Sequence, residues 1–132
     1  MDIFIDTSAF YALMDADDQN HEPAKAAWSE WLYQPIRFSC SNYVLLESIA
    51  LIQRRLGMKA VRRFQEDIVP ICQVHWVTPG LHAAALSALL AADRRRLSLV
   101  DCTSFEIMRR LDLRDAFAFD RHFAEQGFTR LP

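Results

Sequence analysis

The sequence predicts an α/β protein with a short, mainly parallel central sheet flanked by helices on both faces. Two observations carry that prediction. Apolar runs of strand length, Ile3-Phe4-Ile5, Ile36 to Cys40, Val74 to Val77 and Ala116 to Phe119, recur along the chain. Between them lie longer stretches whose apolar residues keep helical spacing and whose ends carry cap signals. Strands alternating with helices form parallel sheets, and in open sheets of that kind ligands bind outside the carboxyl ends of the strands.

The elements follow in order. Ile3 to Ile5 is the first strand, ended by Asp6-Thr7-Ser8, which caps a helix from Ala9 to Met14. Asn20 or His21 opens a second helix, with Pro23 in its first turn, an apolar face of Ala26, Ala27, Trp28, Trp31 and Leu32, and Pro35 as its stop. After the strand Ile36 to Cys40, Ser41-Asn42 caps a helix from Tyr43 to Leu56 that ends at Gly57. A further helix runs from Lys59 to Ile68. Val74 to Val77 is the third strand, and Thr78-Pro79 starts a helix reaching Asp93. Beyond the Arg94-Arg95-Arg96 loop, Leu97 to Val100 leads into a helix around Asp101 to Leu111. Ala116 to Phe119 is the fourth strand and Phe128 to Leu131 the fifth.

At 132 residues, with no repeat or low-complexity tract, the chain is expected to form one domain over 1–132. Hydrophobic residues at 52 % and charged ones at 24 % exclude a solvated disordered segment. Three cysteines, Cys40, Cys72 and Cys102, without a close pair fit neither a disulfide framework nor a thiolate zinc site. The opening MDIFID lacks the basic region and apolar run of a signal peptide. Ile68 to Ala92 carries no Asp, Glu, Lys or Arg, but prolines, Gly80 and polar residues cut it well below the ~20 residues of a spanning helix. A soluble, cytoplasmic protein without a membrane segment is expected.

The formal net charge of −2 gives no whole-domain basic signature. It hides an asymmetry, with two basic and eight acidic residues in 1–52 against thirteen basic and nine acidic in 53–132. All of those thirteen except Lys59 are Arg, which suits phosphate, although an Arg-favouring genome explains the bias equally well.

The acids carry the chemistry. Asp6 follows the first strand, Asp120 the fourth, and Asp101 ends Leu97 to Val100 at the start of a helix, so all three reach one rim of the sheet. Each taken alone is better explained as a helix cap. Glu47 is not, because it is the only charged residue between Arg37 and Arg54, with Tyr43, Val44, Ala50 and Leu51 one turn away. A carboxylate on an apolar stretch is costly unless paired or bound to a cation. Several carboxylates in one crevice repel one another and call for a divalent cation, and all-oxygen ligands suit Mg²⁺ or Mn²⁺. Phosphodiester hydrolysis is the chemistry such a site implies.

The run IFIDTSAF, the isolated Glu47, LSLVDCTSF around Asp101 and FAFDRHFAEQGF near the end, in that order over essentially the whole chain, resemble a PIN-domain nuclease of the VapC type. That resemblance implies a PIN-like α/β/α fold and a Mg²⁺- or Mn²⁺-dependent endoribonuclease, the toxin of a type II toxin–antitoxin module. Asp6, Glu47, Asp101 and Asp120 match the four acidic positions and would be both catalytic and metal-binding residues. It further implies products with 5′-phosphate and 3′-hydroxyl ends, an RNA substrate, a homodimer and a cognate antitoxin protein. Thr7 or Ser8, and Thr103 or Ser104, remain alternatives for the hydroxyl beside the first and third acids. Two competing readings are a PIN nuclease of RNA processing without an antitoxin, and a non-catalytic module that binds RNA or protein.

The remaining candidates read as structural. His122 is expected to be solvated on a helix edge rather than to bind RNA or shuttle a proton. His21, His75 and His82 lack zinc-ligand spacing. Cys102 reads as a packed thiol, and Trp28, Trp31 and Trp76 as core or an oligomer interface. Arg54, Arg55, Arg62, Arg63 and Arg94 to Arg96 either track an RNA backbone or form a solvated face. The apolar helices Tyr43 to Ile52 and Leu81 to Ala92 exceed what one small core needs and point to a dimer or a partner surface.

Overall fold

The computed structural model describes all residues 1–132. Five parallel strands form one sheet: β1 (Asp2–Ile5), β2 (Arg37–Ser41), β3 (Cys72–His75), β4 (Asp115–Phe117) and β5 (Thr129–Leu131), in the order β3-β2-β1-β4-β5. The helices are α1 (Thr7–Met14), α2 (His21–Trp31), α3 (Asn42–Leu56), α4 (Met58–Arg63), α5 (Pro79–Ala92), α6 (Leu99–Arg110) and α7 (His122–Glu125). The chain leaves β1 toward β2 on one side and later returns to place β4 on the other. The order of strands therefore reverses at β1, and the carboxyl ends of β1 and β4 flank the switch point where such sheets open a crevice.

The central strand is apolar on both faces because both are covered. Ile3, Phe4 and Ile5 are fully buried, as the unbroken apolar run demanded. The register sets Ile3 beside Phe38 and Ile5 beside Phe117, and α2 lays its indoles on that face. Trp28 stacks on Phe38 at 4.7 Å between ring centroids, and Trp31 meets Phe117 edge-on at 4.9 Å. Phe105 of α6 contacts Phe123 at 5.0 Å and Phe128 at 5.9 Å, which ties α7 to α6. No helix is long and apolar enough to cross a membrane.

Several boundaries differ from the sequence reading, each for a local reason. The helix expected from Lys59 to Ile68 keeps α-geometry only to Arg63, then widens into a π-helical turn (Phe64–Ile68) and a 3₁₀ turn (Val69–Ile71). Pro70 lacks the N–H that would continue the α-pattern, and the widened turn buries Phe64 against Phe10 at 5.0 Å. β3 starts at Cys72 and ends at His75, so Trp76 leaves the sheet and is 74 % exposed rather than core. Leu99 and Val100 already belong to α6, because Ser98 caps the helix through its hydroxyl. Gly57 ends α3 at φ 90°, ψ −180°, a backbone conformation open to glycine.

Candidate active site

Asp6 is both strand end and helix cap. Its N–H completes the β1–β4 ladder by donating to the Phe117 carbonyl at 3.0 Å, and its carboxylate caps α1. One oxygen, Oδ2, accepts from the Ser8 N–H at 3.1 Å and from the Ser8 hydroxyl at 2.6 Å. That hydroxyl in turn accepts from the Phe119 N–H at 3.0 Å. Ser8 therefore clamps the end of β4 to the first acid. Of the two hydroxyls left open beside Asp6, Ser8 is the one that holds it. Thr7 instead donates to the Val44 carbonyl at 3.5 Å and accepts from Ser48 at 3.3 Å, fastening α1 to α3.

Asp101 sits in the first turn of α6, in a reciprocal capping box. Its Oδ2 accepts from the Ser98 N–H at 3.1 Å, and its own N–H donates to Ser98 Oγ at 3.0 Å. Thr103 and Ser104 donate to the Leu99 and Val100 carbonyls of their own helix at 2.8 and 3.0 Å, so neither hydroxyl is aimed at a carboxylate. Asp120, half-buried in the turn after β4, accepts from the His122 N–H at 2.9 Å.

These three acids share one electrostatic environment. Burial pushes the Asp6 carboxyl up to about 7; the Ser8 hydrogen bonds oppose the rise, and the charges of Asp101 and Asp120 add to it. Burial likewise raises Asp101, against the Ser98 hydrogen bonds and with the repulsion of Asp120. Ligand atoms of Asp101, Asp120 and His122 lie within 4.8 Å of one another.

Glu47 stands beside this cluster rather than in it. It is half-buried on α3, makes no hydrogen bond or ion pair, and borders a cavity of about 300 Å³ with Tyr43, Leu46, His82, Leu99 and Val100. The last two belong to the turn that presents Asp101, so the cavity sets Glu47 beside the first turn of α6.

His122 corrects the sequence reading. It is 6 % exposed, not solvated, because α7 is pulled inward by Phe123 against Phe105. Its Nδ1 lies 3.3 Å from Glu125 Oε2, an oxygen that also accepts from Arg94 at 3.1 Å. The aspartate-x-histidine spacing was visible in the sequence; the long-range packing that buries the ring was not. Cys102 is 5 % exposed with a thiol raised by burial, which leaves it no nucleophilic role.

The PIN domain family pattern matches residues 3–128. The chain belongs to the PIN-domain family. It is 37 % identical over 130 residues, 98 % of this chain and 97 % of the relative, to the 23S rRNA-specific endonuclease VapC20 of Mycobacterium tuberculosis. The crystal structure of that protein, described as a sarcin–ricin loop cleaving toxin, superposes with a TM-score of 0.86 over 96 % of both chains. Likeness at this level over nearly the full length places this PIN domain in the VapC-type branch. More distant structures share only the fold: FitAcB from Neisseria gonorrhoeae (TM-score 0.69, 13 % identity, 98 % of this chain and 96 % of that one) and a protein from Pyrobaculum aerophilum (0.67, 18 %, 99 % and 92 %).

Because Ser8 serves both Asp6 and the Phe119 N–H, Ser8→Ala is expected to cost about 1–3 kcal/mol of stability by orphaning a part-buried donor. Loss of the hydroxyl's bond is also expected to raise the Asp6 pKa further. Urea unfolding at fixed pH and an NMR titration of the carboxyl check the two effects.

Proposed function

We propose that this chain is a divalent-metal-dependent endoribonuclease, the toxin of a type II toxin–antitoxin module, working in the cytoplasm as a single PIN domain over 1–132. The observation that carries the reading is the gathering of Asp6, Asp101 and Asp120 at the switch point of the sheet, with Asp6 pushed up to about 7. Acids that disfavour one another's charge in a buried crevice are what a divalent cation relieves, and the donor set suits one. Asp6, Glu47, Asp101 and Asp120 would hold Mg²⁺ or Mn²⁺ as the catalytic residues. When bound, the cation activates water and neutralises charge on the phosphodiester.

The chain's own groups do the positioning. Ser8 and Ser98 fix the first and third carboxylates. Arg95 and Arg96 are exposed in the loop that leads into Ser98, where they flank the rim and suit an RNA backbone. The likeness to VapC20 supports 23S rRNA, at its sarcin–ricin loop, as the substrate. Exposed Leu46, Leu86, Leu90 and Trp76 support apolar contacts with a second copy in a homodimer and with an antitoxin protein.

Incubating purified, partner-free protein with ribosomes and Mg²⁺ or Mn²⁺, beside EDTA and Asp101→Asn, tests the reading. One discrete cut in 23S rRNA leaving a 5′-phosphate, absent with chelator and in the variant, is expected. Intact rRNA with a metal-raised melting temperature would replace the nuclease with a non-catalytic module.

A further inference from the structure

We propose that His122 supplies a nitrogen ligand to the metal centre, so that the site is a mixed imidazole–carboxylate one that prefers Mn²⁺ to Mg²⁺. This rests on the metal-dependent reading of the same crevice. The imidazole is one of the three groups whose ligand atoms lie within 4.8 Å of one another, with Asp101 and Asp120 as the others. The residue is 6 % exposed, and its Nε2 has no hydrogen-bond partner; the nearest acceptor on the acidic side is Asp120 Oδ1 at 3.9 Å, beyond hydrogen-bond reach. A ring nitrogen that has no protein partner and stands beside a carboxylate is free to take a ligand.

The other ring nitrogen explains the orientation. Nδ1 faces Glu125 Oε2 at 3.3 Å, and with Nδ1–H donating there, Nε2 is left unprotonated on the side of Asp120, 3.9 Å from its Oδ1. Glu125 is held in turn by both terminal nitrogens of Arg94 at 3.1 Å and by Arg121 at 3.6 Å. The carboxylate–histidine pair is the arrangement that fixes tautomer and ring direction in metal-ligating histidines. The main chain adds a further constraint, since the His122 N–H donates to Asp120 at 2.9 Å and so couples the two side chains in one turn. Imidazole suits transition metals, whereas Mg²⁺ prefers oxygen, and this sets the direction of the preference.

Pulsed EPR of Mn²⁺ bound to tag-free protein tests the assignment without relying on catalysis. A ¹⁴N imidazole coupling is expected, changing to its ¹⁵N counterpart when the protein is grown on ¹⁵N-histidine, and absent in His122→Gln. By calorimetry His122→Gln should weaken Mn²⁺ binding by roughly 10- to 100-fold and Mg²⁺ binding far less, and Glu125→Gln should weaken Mn²⁺ by about tenfold. The labelling arm needs no variant, and Glu125→Gln keeps the imidazole in place should His122→Gln fail to fold. Mn²⁺ bound with no imidazole coupling overturns the inference and leaves the nuclease reading standing. No saturable Mn²⁺ binding to the folded chain overturns both.

Discussion

Replacing Asp6 with Asn is expected to raise the melting temperature of the metal-free protein at pH 8 by roughly 5 to 10 °C while reducing metal-dependent RNA cleavage on the order of 10³-fold. The two effects have one origin. At pH 8 the Asp6 carboxyl is mostly ionised although burial and its acidic neighbours favour the neutral form up to about 7. Holding that charge costs on the order of 4 kcal/mol at most, from the shift between 3.8 and about 7. Asn keeps what Asp6 does for the fold. Both Ser8 bonds converge on a single oxygen, which the amide carbonyl reproduces, and Asn is as good a helix cap as Asp. It cannot supply the negative charge a divalent cation needs. Differential scanning calorimetry in EDTA gives the first effect and ribosome cleavage the second. A lower melting temperature with full activity would show that Asp6 is only a cap.

This trade of stability for charge explains which parts of the site were legible in the sequence. Strand ends were legible because short apolar runs broken by Asp are a one-dimensional signal: Ile3 to Ile5 and the run from Ala116 placed Asp6 and Asp120 at adjacent carboxyl ends. Asp101 was placed at the start of its helix on the rim shared with Asp6 and Asp120, but as a cap itself; that Ser98 is the cap and Asp101 its capping-box partner came from the structure. Glu47 stood out by isolation. The role of Ser8 was only half legible, because its decisive partner, the Phe119 N–H, lies 111 residues away. The environment of His122 was not legible at all. Its burial depends on Phe105, Phe123 and Phe128 meeting across α6, α7 and the approach to β5. Trp76 was left open between core and interface, and the end of the strand at His75 decides against the core by leaving it exposed.

The pH dependence of the metal-free protein should run against the usual direction for a carboxylate-rich domain. Asp6 and Asp101 have raised pKa values in the folded state, so between about pH 4 and pH 7 the folded chain binds more protons than the unfolded one. Stability is then highest near the lower end of that window and falls as pH rises toward about 7. Asp2, Asp15 and Glu125 are lowered by Arg37, by Tyr11 and by His122 with Arg94 respectively; their contribution is present above the ordinary carboxylate range and disappears only as pH falls below it. They therefore set the acid limit of the maximum rather than its slope above pH 5. His75, lowered by burial, works in the opposite sense, since its unfolded form binds the extra proton and stability rises with pH up to about 6.5. It is one half-buried ring against two acids, and His75→Gln separates the contributions. In EDTA the melting temperature is thus expected to be several degrees higher at pH 5 than at pH 8. A divalent cation should reverse the order, because it binds the ionised acids and adds about 4 kcal/mol at a thousand times its dissociation constant. Saturating Mn²⁺ is expected to lift the melting temperature strongly at pH 8 and weakly at pH 5, where protons compete for the same oxygens. A metal-free maximum at pH 8, unmoved by Mn²⁺, would mean that the acids are held by partners within the fold and that the crevice is not built around a cation.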